Sequence, residues 1–223
     1  MEQIYNTYGP MLYKALGKTI ELALWSLLYG SLLGIFFGLA SVIKNKFSRA
    51  IAAIYVNLIR SIPLMIFAFF VYFGIPYAYK NIFGVAYKLS VMDAGVICLS
   101  LNCGAYMAEI IRAGIQSIDP GQMEAARSLG LSYWRSMFRV VLPQAIKNMI
   151  PSIVNQFIIT LKDTSIISAI GYQELTAIAK NVAANTFKSF ETYAIVAIMY
   201  LVVILILQQI ANALERSLKR DRK

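Results

Sequence analysis

The chain has 223 residues, 59% of them hydrophobic and only 14% charged, with a formal net charge of +10. Soluble domains use roughly 45–50% apolar and about 25% charged residues, so an integral membrane protein is expected and soluble globular classes are excluded. A spanning helix takes about 20 apolar residues, and five of them leave no room for a separate catalytic domain of about 100–150 residues, so any energy source lies in a partner protein or an ion gradient.

The N-terminal stretch MEQIYNTYGPMLYKALGK is moderately polar. It lacks a basic region leading to a small-residue cleavage site, so no cleaved signal peptide is expected. The first span is expected over residues 19–43, followed by the basic link KNKFSR. The second covers residues 50–79 and is interrupted by Arg60, Pro63 and Pro76, with a short loop over 80–90. The third covers residues 91–113. Residues 114–141 are polar and amphipathic and cannot span. The fourth span begins near Leu142 or near Ile150 and ends at Ile170, because Pro143 and Pro151 each mark a helix start or kink. Residues 171–189 read as a short surface helix. The fifth span covers residues 190–214, before the charged tail ERSLKRDRK. The fold class is all-α: one polytopic domain over residues 1–223.

Basic residues orient these spans. Thirteen of the 21 lie in residues 44–49, in 112–147 and from Arg216 onward. The opposite side holds six: Lys14, Lys18, Lys80, Lys88, Lys180 and Lys188. The positive-inside rule puts the richer side in the cytoplasm, with the N-terminus outside. That asymmetry accounts for the net charge without a nucleic acid partner. The chain has no histidine, which removes Ser-His and Cys-His nucleophiles and the commonest zinc ligand; no metal site is expected. Cys98 and Cys103 sit roughly 7.5 Å apart along one helix axis, too far for a disulfide, and read as free buried thiols. Gly30, Gly34 and Gly38 recur every four residues and allow a close helix approach, within the subunit in preference to a dimer seam.

The segment DPGQMEAARSLGLSYWRSMFRVVLP at residues 119–143 carries the strongest signal. Asp119 before Pro120 starts a helix. Met123, Ala126 and Leu129 follow at helical spacing, and Gly130 stops it. Ser132 is placed to cap a second short helix whose Trp134, Phe138 and Val141 share a face. Two short bent helices on the cytoplasmic side read as a docking element or as an interfacial amphipathic helix.

Glu124-Ala125-Ala126, Gly130, Val140 and Leu142-Pro143 agree in every spacing with the pattern of the permease subunits of ABC importers; the one departure is Val140, where the pattern has Ile. Arg60-Ser61-Ile62-Pro63, the run from Gly104 to Ile110, the run from Gly114 to Ile118, and Leu161-Lys162-Asp163-Thr164-Ser165 resemble the polar amino acid branch, which includes histidine, glutamine and arginine importers. The resemblance covers essentially the whole chain. It implies a type I importer-like fold of five spans, with residues 114–142 as the coupling loop. It also implies a dimer of permease subunits, two ATP-binding cassette ATPase subunits that dock on that loop, an extracytoplasmic substrate-binding protein, and a bacterial cytoplasmic membrane. No cofactor is expected on this chain, since ATP and Mg belong to the partner ATPase. Gly17-Lys18-Thr19 mimics the end of a phosphate-binding loop, but position 12 is Leu12 and a span follows directly.

Ionisable groups at membrane depth are costly and face a cavity or a partner. Arg60 lies about 15 Å into the second span as read here, and Pro63 beyond it breaks the helix. Glu109 shares a helix face with Tyr106 and Asn102. Asp163 lies roughly 18 Å beyond Pro151, beside the hydroxyls of Thr164 and Ser165. Arg60, Ser61, Asn102, Tyr106, Glu109, Asp163 and Thr164 are the candidate substrate residues. The alternative is that Arg60, Glu109, Asp163 and Lys162 form structural ion pairs. A polar, basic amino acid of the arginine type fits, its carboxylate near Arg60 and its cationic groups near Asp163 or Glu109; glutamine fits nearly as well. The rival class is an ion-driven secondary transporter or channel, which leaves the loop around Glu124 unexplained. A membrane scaffold would expose such a loop but would not need Arg60 and Asp163 at depth. A homodimer is favoured over a heterodimer.

Overall fold

A computed structural model describes the backbone of residues 1–220 and the side chains to residue 213. Among the described residues the chain is helical throughout, without a strand: α1 Glu2–Val42, α2 Lys46–Ser61, α3 Leu64–Phe83, α4 Val91–Gln116, α5 Pro120–Ser128, α6 Tyr133–Ile170, α7 Leu175–Thr186 and α8 Ser189–Arg220. α1, α3, α4, α6 and α8 are long and apolar enough to cross a membrane, as expected. The side chains of the charged tail lie outside the described residues.

The polar N-terminus is not separate from the first span. α1 runs unbroken for 41 residues, about 61 Å at 1.5 Å per residue, twice the roughly 30 Å hydrocarbon thickness. Its early turns bury Ile4, Leu12 and Ala15 against Leu175, Ile178, Val182 and Ile195. Gly17-Lys18-Thr19 lies inside this helix, where the Thr19 hydroxyl donates to the Ala15 carbonyl at 3.1 Å.

The second span is divided. α2 ends at Ser61 because Ile62 precedes a proline and is held extended, at φ −96° and ψ 128°. The crossing segment is α3, which begins after Pro63 and runs past residue 79 to Phe83, where Gly84 takes φ +71° and ends it. Residues 46–61 form a separate amphipathic helix.

Two π turns share one cause. Phe70–Gly74 ends two residues before Pro76, and Met137–Val141 ends two residues before Pro143. Proline cannot donate to the carbonyl four residues back, and its ring crowds that carbonyl. A wider turn relieves the crowding without ending the helix. The segment from Tyr133 therefore continues into the fourth span as one 38-residue helix, and neither Pro143 nor Pro151 starts it.

The short helix at 171–189 is packed into the fold along one face, leaving Lys180, Asn181 and Asn185 exposed on the other. α7 buries Leu175, Ile178, Ala179 and Val182. Its first amides are fully satisfied: Leu175 N–H donates to Thr19 Oγ1 at 3.1 Å, and Thr176 and Ala177 N–H donate to the Glu174 carboxylate at 2.9 and 2.8 Å. Tyr200 Oη adds a fourth bond at 2.9 Å. Burial pushes the Glu174 carboxyl up, while the bonds from Thr176, Ala177 and Tyr200 pull it down.

The closest helix contact is α1 against α4. Gly30, Gly34 and Gly38 lie under Cys103, Met107 and Ile111, so the glycine stripe packs within the subunit. Cys98 and Cys103 are free and buried. A methyl group on Gly34 would collide with the Met107 Cβ and sit 3.4 Å from the backbone of Gly104 and Ala108. Gly34→Ala should therefore cost about 1–3 kcal/mol. Gly17→Ala, with nothing within 4 Å, should be neutral or better; thermal unfolding in detergent separates the two.

Candidate functional site

Arg60 stands in the last turn of α2, exposed, with its guanidinium 4.9 Å from the centre of the Tyr106 ring. That is cation–π range. Ser61 is exposed beside it. Glu109 is three residues along from Tyr106 on α4 and pairs with Arg112 through two hydrogen bonds, 2.5 Å from Nη2 and 3.0 Å from Nε. Arg112 Nη1 also donates to Gln116 Oε1 at 2.6 Å. Arg60, Glu109 and Arg112 line one cavity of about 440 Å³. Asn102, two turns outward of Glu109 on α4, is buried.

Asp163 and Thr164 stand apart from this group. Asp163 is the last residue of the α-helical part of α6, half-buried, and its side chain caps nothing. Its neighbours include Cys98 and Cys103 on α4. Those cysteines precede Glu109 by 11 and 6 residues, which puts Asp163 about 9–16 Å outward of the Glu109 pair. Thr164 is fully buried, and its hydroxyl donates to the Leu161 carbonyl at 2.7 Å.

The one ion pair among the described residues is Glu109–Arg112. The expected alternative of pairs among Arg60, Glu109, Asp163 and Lys162 is not what forms. Glu109 takes a partner one turn away on its own helix, a residue the loop count had assigned to the cytoplasmic side. The i, i+3 spacing of opposite charges was the available signal.

The loop between α4 and α6 is ordered by local chemistry. Asp119 Oδ1 accepts the Gly121 N–H at 2.7 Å and starts α5. Gly130, at φ +84°, ends it: Leu131 N–H reaches the Ala126 carbonyl at 3.2 Å and Gly130 N–H the Arg127 carbonyl at 3.0 Å. This is a Schellman cap, and its left-handed residue favours glycine. Ala126 is buried, whereas Glu124 and Ala125 face outward. Ser132 precedes the next helix, but its side chain caps nothing. Leu129, Trp134 and Phe138 are 84%, 59% and 61% exposed, and the two rings are stacked. Val141 does not join that face. The π turn adds a residue and rotates it into a core with Ile111, Ala145 and Met149. Leu142 is half-buried and Pro143 exposed. Lys44 sits over the Tyr133 ring at 5.8 Å, and Gln144 Nε2 donates to Gln122 Oε1 at 3.3 Å, tying the start of α6 to the α1–α2 link and α5 to α6.

Residues 30–220 match the family described as binding-protein-dependent transport system inner membrane component. The chain belongs to that family. It is accordingly a membrane component of a transport system and not an enzyme. It is 33% identical over 210 residues to a glutamine transport system permease protein of Escherichia coli strain K12, covering 94% of each chain. It is 35% identical over 213 residues to a probable amino-acid permease protein of Bacillus subtilis, covering 95% of this chain and 92% of that one. The crystal structure of an amino acid ABC transporter with histidines matches at a TM-score of 0.85 and 38% identity, covering 95% of both chains. The MetNI methionine ABC transporter shares the fold, at a TM-score of 0.76 and 20% identity over 95% of this chain and 98% of that one.

The Arg60–Tyr106 contact yields a test on this transport component. Tyr106→Phe keeps an aromatic face for the guanidinium and should hold the transport rate within about twofold. Tyr106→Leu removes a contact worth about 0.5–1 kcal/mol and should lower the rate about two- to fivefold, read as initial uptake in vesicles.

Proposed function

We propose that this chain is the membrane-spanning subunit of an ATP-driven importer of polar amino acids, with a preference for basic ones. The observation that carries the reading is the Schellman-capped loop, with Leu129, Trp134 and Phe138 exposed beside Glu124. An exposed apolar patch of this kind marks a protein interface. Its occupant is an ATP-binding cassette subunit that binds ATP and Mg, one for each permease chain. An ion-driven carrier would have no use for this surface.

Two permease chains, preferably identical, and an extracytoplasmic binding protein complete the machine in the bacterial cytoplasmic membrane. The distribution of Lys and Arg supports an N-terminus outside and a C-terminus inside. The amino acid class is supported by the names of the relatives and by the site. Glu109 is neutralised by Arg112, whereas Asp163 is in no ion pair among the described residues. Asp163 is therefore the carboxylate available to a cationic group, with Asn102 on the facing helix. Arg60 and Ser61, at the broken helix, receive the carboxylate end. Transport proceeds by alternating access: ATP binding moves the loop from Glu124 to Pro143, and each nucleotide state must bind one conformation better than the other.

Uptake of labelled L-arginine into proteoliposomes holding this chain, its ATPase and its binding protein should require ATP. Asp163→Asn should reduce that uptake at least tenfold, the order expected for losing a charged hydrogen bond. ATP-independent uptake would overturn the reading; ATP-dependent uptake of glutamine or histidine alone would leave the importer standing and remove the basic preference. Gly130→Val forces a side chain into the left-handed region at about 1–2 kcal/mol. It should cut uptake while the ATPase subunit, assayed alone, hydrolyses ATP normally.

A further inference from the structure

The cavity that holds the Glu109 pair extends well beyond the residues considered so far. Arg49, Asn57 and Arg60 line it from α2, Ser41 from α1, and Glu109 and Arg112 from α4. Its volume of about 440 Å³ falls in the roughly 300–1,000 Å³ range of small-molecule sites. Three guanidiniums face one carboxylate, and that carboxylate is already paired with Arg112. Arg60 rests on a ring, and Arg49 has no ion pair among the described residues. Such an excess of positive charge between helices calls for an anion.

The placement of α2 indicates which kind of anion. Phe47, Ile51, Ile54 and Leu58 are all exposed and fall on one stripe of α2. Arg49, Val56 and Arg60 fall on the opposite side, toward α1 and α4. An apolar stripe suits acyl chains or an apolar neighbour, and the cavity lies on the side of α2 away from it. It also lies toward the basic end of the molecule, since Arg49 is three residues into α2 and Arg112 four residues from the end of α4.

We propose that this cavity is an exit vestibule that receives the carboxylate of the transported amino acid, a second station inward of Asp163. The inference rests on the importer reading above. Arg49 holds the carboxylate oxygens, the fork of its guanidinium suiting that geometry. Asn57 donates from its amide. Arg49 and Asn57 are thereby binding residues that the substrate meets after leaving Asp163.

Calorimetric titration of the assembled transporter in phosphatidylcholine nanodiscs tests this. The probes are L-arginine, L-glutamine and L-histidine, with agmatine as the decarboxylated control. A transported amino acid should report two sites per chain and agmatine only one. Arg49→Gln should weaken the second site about tenfold, Arg49→Lys less, and Asp163→Asn should alter only the first. A single site in the wild type, equal binding of agmatine at both sites, or an unchanged second site in Arg49→Gln would overturn the vestibule. So would loss of that site on adding phosphatidylglycerol, which would give the cavity to a lipid headgroup. The titration needs no ATP, so it can fail while ATP-driven uptake stands; two carboxylate-selective sites without ATP-driven uptake would count against the importer reading alone.

Discussion

The arrangement depends on α1 lying against α4 with three glycines on the α1 side of the contact. In lipid there is little hydrophobic drive to bring helices together, so association rests on close packing and interhelical bonds. Gly30, Gly34 and Gly38 supply the closeness: their places are filled by Cys103, Met107 and Ile111 of α4. Gly104 answers from the other side, where an added methyl would meet Leu33 Cβ at 2.8 Å and the Tyr55 hydroxyl at 2.7 Å. Tyr55 Oη in turn donates to the Leu101 carbonyl at 2.8 Å, which locks α2 onto the same helix. With one face of α4 fixed in this way, the adjoining face carrying Tyr106, Glu109 and Arg112 turns toward α2 and its arginines.

Punctuation residues do more here than end helices. Pro63 separates α2 from the crossing helix α3 and so places Arg60 at a helix end, where the side chain lies over Tyr106. Pro76 and Pro143 leave their helices continuous and widen them upstream. The same residue type gives a break in one case and a π turn in the others, and neighbouring packing decides which. Val141 and Leu142 are anchored against α4 and α5, so the chain has nowhere to turn at Pro143. Gly130 has no such neighbours within 4 Å of an added Cβ, and there the chain reverses.

These differences explain what was legible in the sequence. Apolar runs of spanning length, the Asp119 start, the Gly130 stop and the glycine stripe are local patterns, and each was read from neighbours within a few residues. The buried position of α7 was not legible, because its amide caps come from Thr19, 156 residues away, and from Glu174 braced by Tyr200. The N-terminal extension of α1 reads as polar until Leu175 and Ile195 are placed against it. Within the site, the cost of burying charge pointed to Arg60, Glu109 and Asp163. It did not reveal that Arg112 would neutralise Glu109, or that Arg49 would share their cavity, since both had been counted as loop charges.

The continuity of α6 joins the two ends of the molecule. From Trp134 to Asp163 is 29 residues of one helix, about 44 Å at 1.5 Å per residue. A separate second coupling helix would have left a hinge at Pro143, and motion of the loop would have been lost there. With the helix unbroken, a tilt imposed at Trp134 and Phe138 is carried to Asp163, and the π turn at 137–141 sets how much of it is absorbed. The Glu109–Arg112 pair sits on α4, which α6 touches through Met149 under Gly114 and through Asn148 Nδ2, donating to Ser117 Oγ at 3.2 Å. The two clusters are thus mounted on different helices that meet near the cytoplasmic loop. A rotation of α6 about that meeting point would change the distance between Asp163 and the arginines without disturbing either group internally, as the proposed passage of a charged solute requires.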